Sequence, residues 1–350
     1  MRTRATLADA EVAVAAWDLC GVRAAPLGDG LINDTFAVDS DTGGFVLQRV
    51  HPVFTPGVHD NIAAVTARLV ERGIPTPVLL ATREGGLCAE LSDGVWRVMT
   101  RMPGLSFAAV GSPAQARNAA AILARFHGAL ADLPHGFVGM RVGVHDTPAH
   151  LAALAQAVSI HSGHRLHADV ARLAAEIHAR AVTLPELGSL PDRILHGDPK
   201  FSNVLFAGPG PQSSLRPVCL VDLDTVGPGP LHLELGDMWR SWCNLRGEDE
   251  RNAAFDLAVF EASLAGYASA CPAPTPTERE ALTYGLEWIT LELAARFAAD
   301  ALHERYFGWD PARFAARGEH NLVRALGQWS LHGQVVATRE ERRAAIRCAW

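Results

Sequence analysis

Hydrophobic positions in the first hundred residues recur at two different spacings. After an opening helix, N-capped by Thr6 with Asp9 three residues on, come GDGLINDTFAVD, the turn SDTGG and the run FVLQRV. Two short apolar stretches around a glycine-rich turn are the pattern of a β-hairpin. The next segment, VHDNIAAVTARLVERG, changes period: Val58, Ile62, Val65 and Leu69 share one helical face, and Gly73 ends it. Beyond IPTP, the runs VLLA, LCAEL and VWRVMT alternate with the turn signals EGG and SDG. This part of the chain is predicted to be a small antiparallel sheet with helices.

From MPG at 102–104 the pattern becomes helical. Ser112 and Pro113 open a helix through AQARNAAAILARFHGAL, and a further helical stretch covers about 148–180. Short strands interrupt at 191–240, and long helices follow to the end. The expected fold class is therefore α+β and two-lobed: an N-lobe over 1–102, and a mostly helical C-lobe over 103–350. No internal repeat is visible, and the low-complexity content is one small insert, GPGPQSS.

Composition narrows the function classes. Hydrophobic residues make up 49% of the 350, enough for a sizeable core. The net charge is −7 with no basic block, so there is no electrostatic footprint for nucleic acid or an anionic membrane. No stretch approaches the ~18 apolar residues of a membrane span. The start, MRTRATLADAEVAVAAWDLCG, is interrupted by Asp9, Glu11 and Asp18 and does not read as a secretory signal. Six cysteines without a C-x-x-C pair fit a reduced, cytoplasmic protein.

The chemistry-bearing residues concentrate in RILHGDPKFSNVLF and PVCLVDLDTVGPGP. The runs VLF and VCLVD can pair as a hairpin, with Asn203 at the head of one strand and Asp222 at the foot of the other. Asp198 lies on the preceding loop, five residues before Asn203, and Asp224 follows Asp222 by two. Three carboxylates, one amide oxygen and Lys200 then converge. Oxygen-only donors suit a hard cation such as Mg²⁺, and a carboxylate left over could accept a proton. That is the equipment of phosphoryl transfer.

The spacing D-x-x-x-x-N followed by a metal-binding Asp matches the protein-kinase pattern, with Gly197 in place of its Arg and Asp-Leu-Asp in place of D-F-G. The H-G-D variant resembles the aminoglycoside phosphotransferase and choline kinase group of small-molecule kinases. More narrowly, GDGLINDTF, LQRVHPVF, NIAAVT, VDLDTVGPGPLHLELGD, ARFAADALHERYF and EHNLVRALGQ together resemble bacterial N-acetylhexosamine 1-kinases. That resemblance implies ATP- and Mg²⁺-dependent phosphorylation of the C1 hydroxyl of an N-acetylated hexosamine.

It also implies residue roles. Asp198 is the expected base. Asn203 and Asp222 are the expected metal ligands, with Asp224 a second ligand or an acceptor-orienting group, and Lys200 balances phosphate charge. Read from the residues, Gly28-Asp29-Gly30 followed by Asn33 could lay backbone N–H groups on nucleotide phosphates, and the resemblance makes MTRMPG the hinge that would recognise adenine through backbone groups near Thr100 to Met102. Arg296, Tyr306 and Phe307 fall where the acceptor pocket is built.

Two departures stand out. The usual phosphate-pairing strand Lys is missing from FVLQRV, so Arg49 is expected to replace it, steadied by Asp60, with Gln48 on the other face. Leu31 stands where the sugar kinases commonly carry His. Other acceptors (an aminoglycoside, a choline-like amino alcohol, homoserine, a plain hexose) and a nucleotide-binding pseudokinase are the alternative readings.

Some features read as structural. Glu292, Arg296, Asp300 and Glu304 at four-residue spacing could be a solvated helix face laced by ion pairs, or could serve the acceptor cleft. His161, His164 and His167 read as surface histidines, and His127 and His196 as packed ones. Trp288 and Trp309 could line a sugar pocket.

Overall fold

Thr6 caps α1 (Leu7–Ala13) reciprocally: its hydroxyl accepts from the Asp9 N–H, and the Asp9 carboxylate accepts from the Thr6 N–H. The computed structural model describes residues 3–28, 32–141, 143–208, 210 and 215–350. After α1 come β1 (Arg23–Pro26), β2 (Asp34–Ser40), β3 (Gly43–Arg49), α2 (Val58–Glu71), β4 (Ala89–Leu91) and β5 (Gly94–Thr100). The strands form an antiparallel five-stranded sheet in the order β1-β2-β3-β5-β4.

Strand alternation separates the two faces of this sheet. Phe36, Val38, Leu47, Trp96 and Val98 point one way and pack on Ala10, Ala13, Val14 and Trp17. Thr35, Gln48 and Arg97 are directly opposed in the register of the three central strands and point the other way. The run VLLA contributes only a bridge, Leu79 to Met99.

The linker to the second lobe docks on the site-bearing hairpin. Leu105 and Phe206 exchange backbone N–H···O bonds of 2.8 and 2.9 Å. Gly104, at φ +142°, lets the two backbones meet, since a Cβ there would lie 2.7 Å from the Phe206 carbonyl oxygen.

The C-lobe contains α3 (Pro113–Leu130), α4 (Thr147–Ile160) and α5 (His167–Ala181). Then follow β6 (Asp192–Leu195), β7 (Val204–Phe206), β8 (Pro217–Leu220) and β9 (Gly227–Pro230). The remainder is α6 (Leu231–Trp242), α7 (Leu257–Ala268), α8 (Pro276–His303), α9 (Arg317–Ala337) and α10 (Arg339–Ala349). The expected helical stretch over 148–180 is two helices: α4 ends at Ile160, with His161 as its C-cap, and the turn containing Ser162 and Gly163 redirects the chain. The 28-residue α8 runs through the lobe and packs against α4, α5, α6 and α9. Two small antiparallel pairs, β7–β8 and β6–β9, complete the lobe, with β6 and β9 against α6. The architecture is the two-lobed α+β fold expected from the sequence. None of the helices is long and apolar enough to cross a membrane, among the described residues.

Candidate active site

The strand β6 delivers the loop His196-Gly197-Asp198 into the cleft, and the loop is held from below. Glu234 of α6, itself buried, accepts the His196 N–H at 2.8 Å and the Gly197 N–H at 3.0 Å. It also accepts from His127 Nε2 at 3.0 Å, and Tyr267 Oη closes the chain by donating to His127 Nδ1 at 2.8 Å. His196 is fully buried and donates from Nε2 to the Val221 carbonyl at 3.0 Å; burial depresses its pKa, leaving a neutral ring. Gly197 sits at φ +80°, and a Cβ there would collide with the Thr225 carbonyl oxygen. This crowding explains why glycine occupies the place of the protein-kinase arginine.

Asp198, Lys200 and Asn203 form a connected group. Lys200 Nζ lies 2.8 Å from Asp198 Oδ2. Asn203 Nδ2 donates to the Asp198 carbonyl at 2.8 Å and to its Oδ2 at 3.3 Å. With its amide nitrogen directed at Asp198, Asn203 has its Oδ1 available as a donor atom for a cation. Burial works against the Lys200 charge, but Asp198, Asp222 and Asp237 together hold its ammonium above the ordinary range.

Asp222 and Asp224, two residues apart, differ sharply. Asp222 takes the left-handed conformation (φ 68°, ψ 61°), which is unusual for a side-chain-bearing residue and turns the chain as β8 ends. Its side chain is exposed to the cleft. Enclosure by the surrounding protein, then the charges of Asp224 and Asp198, push its carboxyl up to about 7, against Lys200 and Arg97. Because the side chain meets cleft water, the neighbouring carboxylates carry more of that shift than burial does.

Asp224 is closed off. Arg97 Nη1 donates to its Oδ1 at 2.5 Å and Asn33 Nδ2 to its Oδ2 at 2.6 Å, and only 2% of its side chain is accessible. Both oxygens already accept hydrogen bonds inside the protein, against the expectation that they ligate a metal, while the residue itself lines the cavity beside Asp198. Burial alone would raise its carboxyl, but Arg97 and Asn33 hold it below the usual carboxylate range.

The nucleotide-side expectations need more revision. Arg49 lies on the α1 side of the sheet, away from the cleft. It donates from Nε and Nη2 to Asp34 Oδ2 at 2.9 and 2.7 Å, from Nη1 to Asp93 at 3.3 Å, and from Nη2 to the Thr3 carbonyl. Asp60, expected to steady it, is exposed on α2. Gln48, set aside as facing the other way, faces the cleft: its Oε1 accepts from Arg97 Nε and Nη2 at 2.9 and 2.7 Å. Asn33 bridges the lobes, its Oδ1 accepting the His51 N–H at 2.9 Å while Nδ2 holds Asp224, so its side chain is not directed at a phosphate.

At the hinge, the Thr100 N–H donates to Val78 and its hydroxyl accepts from the Val78 N–H, while the Arg101 N–H donates to Gly44. Thr100 is thus a sheet residue. Gly28 is exposed at φ +69°; Gly30 and Leu31 lie outside the described residues.

Beside Asp198 opens a cavity of about 500 Å³, reached by the backbone on either side of that residue, Gly197 and Pro199. Val58 and Asn61 of α2, the segment through Arg141, Val144 and His145, the floor at 227–230, and Asp237 of α6 enclose it. Its outer wall is pinned to α8 and to the segment that follows it. His145 Nδ1 lies 3.1 Å from Glu292 Oε1, Thr147 Oγ1 donates to Glu292 Oε2 at 2.8 Å, and Arg141 Nη2 donates to Tyr306 Oη at 2.9 Å. Arg296 is 3.6 Å from Glu292 and lies over the Phe307 ring at 5.7 Å. Arg296, Tyr306 and Phe307 therefore cluster behind this wall and do not line the cavity itself.

The face carrying Glu292 and Asp300 is not solvated: both are buried, and Asp300 accepts the N–H groups of Arg305, Tyr306 and Phe307. His161 and His164 contact His303 and Glu304, respectively, at the C-terminal end of α8. Trp288 packs into the core between α8 and its neighbours.

A model described as the phosphotransferase enzyme family, APH, matches residues 23–273, more than two thirds of the chain, and includes Asp198, Lys200, Asn203, Asp222 and Asp224. The chain belongs to that family. Solved phosphotransferases share its fold at low identity. An aminoglycoside phosphotransferase from Alicyclobacillus acidocaldarius subsp. acidocaldarius DSM 446 is 19% identical, with 99% of this chain and 97% of that one covered at a TM-score of 0.64. A microcompartment-associated aminopropanol kinase is 16% identical, with coverages of 95% and 98% and a TM-score of 0.62. The amicoumacin kinase hAmiN, solved with AMP-PNP, Ca²⁺ and Ami, is 13% identical, with coverages of 93% and 92% and a TM-score of 0.61.

Sequence reasoning about this phosphotransferase missed Arg97, Glu234 and the bridging role of Asn33. A signal existed for Arg97, a cation between Trp96 and Val98 in an otherwise apolar strand. Glu234, in PLHLELGD, carries no such signal, because an acid in the first turn of a helix is common.

Proposed function

We propose that the protein is an ATP-dependent small-molecule kinase that phosphorylates the anomeric C1 hydroxyl of an N-acetylhexosamine. The observation that carries this reading is a base candidate, Asp198, anchored between a 500 Å³ cavity and the oxygen donors Asn203 and Asp222. That volume falls within the ordinary range for small-molecule sites. The cavity wall presents cations (Arg141, His145) together with carboxylates (Asp146, Asp224, Glu234, Asp237), three of them paired inside the protein: Asp237 with Arg240 at 2.7 Å, Asp224 with Arg97, and Glu234 with His127 at 3.0 Å. A mixed lining of this kind suits a neutral polyol better than a polycation. The sugar itself is inferred from the segments that resemble those of N-acetylhexosamine 1-kinases.

In this reading the Asp198 carboxylate accepts the proton of the acceptor hydroxyl as it attacks, and an anomeric hydroxyl, more acidic than an ordinary alcohol, needs no stronger base. Asn203 Oδ1 and the Asp222 carboxylate fit a hard divalent ion, being oxygen donors adjoining a crowd of negative charge. Those two residues would hold Mg²⁺, which would supply charge neutralisation for the nucleotide phosphates. Lys200 adds a second positive charge beside them, and Met102 lies at the adenine end. Arg141, His145 and the Arg296–Tyr306–Phe307 cluster behind them shape the acceptor wall. Orientation of this kind is worth ~7–11 kcal/mol in well-placed systems.

The test is a panel of N-acetylhexosamines, plain hexoses, homoserine, aminoglycosides and amino alcohols with radiolabelled ATP and Mg²⁺, with ³¹P NMR locating the new phosphate. Phosphate transfer to an N-acetylhexosamine at C1, faster than to any other acceptor, supports the proposal. Preferred transfer to an amino alcohol or aminoglycoside overturns the sugar assignment. Mg–ATP binding without transfer to any acceptor favours the pseudokinase.

A further inference from the structure

A row of side chains crosses the cleft face of the N-lobe sheet and ends in the other lobe. Gln48 Nε2 donates to Thr35 Oγ1 at 3.1 Å, Arg97 holds Gln48 Oε1 with two N–H groups, and Arg97 Nη1 reaches Asp224. Arg97 is 1% exposed, in the interior of a central strand. A guanidinium in that position is not there for solubility, because withdrawing a charge from water is costly unless it is paired. Its pairing partner lies 127 residues away, on the turn that follows the exposed Asp222. Asn33 joins the same carboxylate from the N-lobe side.

This arrangement settles how charge is divided in the cleft. Asp222 and Asp224 follow one another so closely that two open carboxylates would compete for a cation and repel each other. Arg97 neutralises one and leaves the other exposed. Gln48, on the neighbouring strand, orients this arginine.

We infer that Arg97 is a positioning residue that holds Asp224 out of the cation site and ties the lobes together, so that Asp222 and Asn203 alone receive the metal–nucleotide. The inference rests on the phosphotransfer reading above. It assigns Arg97 no contact with the reacting atoms.

The test measures AMP-PNP affinity by calorimetry, with and without Mg²⁺, together with melting temperature, for the wild type, Arg97→Met, Asp224→Asn and the double variant. A merely structural loss lowers affinity alike with and without Mg²⁺. The inference expects Arg97→Met to lose at least tenfold in the Mg²⁺-dependent part alone, because the unpaired Asp224 draws the cation away from Asp222. Adding Asp224→Asn should return most of that loss and raise the melting temperature above that of Arg97→Met.

Wild-type affinity in Arg97→Met overturns the inference. So does a weakened Arg97→Met that Asp224→Asn fails to restore, since Arg97 would then touch the nucleotide directly. If Arg97→Met alone does not fold, the comparison runs from Asp224→Asn, whose unpaired guanidinium competes with the cation for Asp222. The double variant is then expected to bind Mg–nucleotide at least tenfold more tightly than Asp224→Asn, and equal affinities overturn the inference. A wild-type chain that binds no nucleotide under either condition sinks the phosphotransfer reading itself, a result distinct from all of these.

Discussion

The two faces of the N-lobe sheet each carry a buried arginine, and the two arginines do different things. On the α1 side, Arg49 closes a pocket of local partners, Asp34, Asp93 and the Thr3 carbonyl, all within the N-lobe. On the cleft side, Arg97 reaches out of its lobe to Asp224. Both lie on central strands, and Arg49 is the register partner of Trp96, the residue beside Arg97. One residue of register separates a group that secures the sheet from one that secures the site. The difference teaches that a charge in a strand acquires its role from the body packed against its face.

If that contrast holds, substitutions around the cleft should alter binding and turnover, and those on the α1 side should alter stability alone. The largest effect is expected from Asp198→Asn, which should lower turnover ~10²–10⁴-fold, the usual worth of a general base. Calorimetry should show nucleotide affinity within a few-fold of wild type; activity above a few per cent would remove Asp198 from the role of base.

Next comes Arg49→Met. It leaves the buried Asp34 short of its main cation and should cost ~3–5 kcal/mol in denaturant unfolding. The turnover of the remaining folded enzyme should be unchanged, and a shifted KM for ATP would break the comparison.

A third effect concerns pH. A carboxyl raised in the folded state disfavours folding as pH climbs from the unfolded value toward about 7, because the native chain keeps a proton that the unfolded one has released. Metal-free protein should therefore lose stability between about pH 4 and 7, and Asp222→Asn should flatten that slope. Divalent-cation affinity, followed by thermal shift, should fall as pH drops below about 7, when protons compete for Asp222. A pH-independent affinity would place the cation elsewhere. The smallest expected change is Thr6→Ala, which removes the cap of α1 and should cost ~1 kcal/mol without a kinetic effect.

Much of the fold was legible from the chain, for reasons that are local. The hairpin of β2 and β3 and the helices α1, α2 and α3 announced themselves through period, caps and turn glycines. The grouping of Asp198 with Asn203 was also readable, since a short loop confines both. The division of the stretch 148–180 into α4 and α5 was weaker in the sequence, because alanine-rich segments remain helical by propensity on both sides of Gly163. Which strand arginine faces the cleft was not readable at all: alternation separates Arg49 from Gln48 but does not say which side meets the C-lobe. Asp224 looked as open as Asp222 because its partners lie 127 and 191 residues away.

The sequence by itself determined the elements, the two-lobed class, the phosphotransferase chemistry and the residues of its loop, because caps, periods and short-range spacing act over a few residues. Only the tertiary structure decided that Arg97 replaces Arg49 in the cleft, that Asp224 is sealed and Asp222 open, and that Glu234 holds the loop. Those outcomes depend on which surfaces meet when the lobes close, and burial and pairing of charge exist only once they have met.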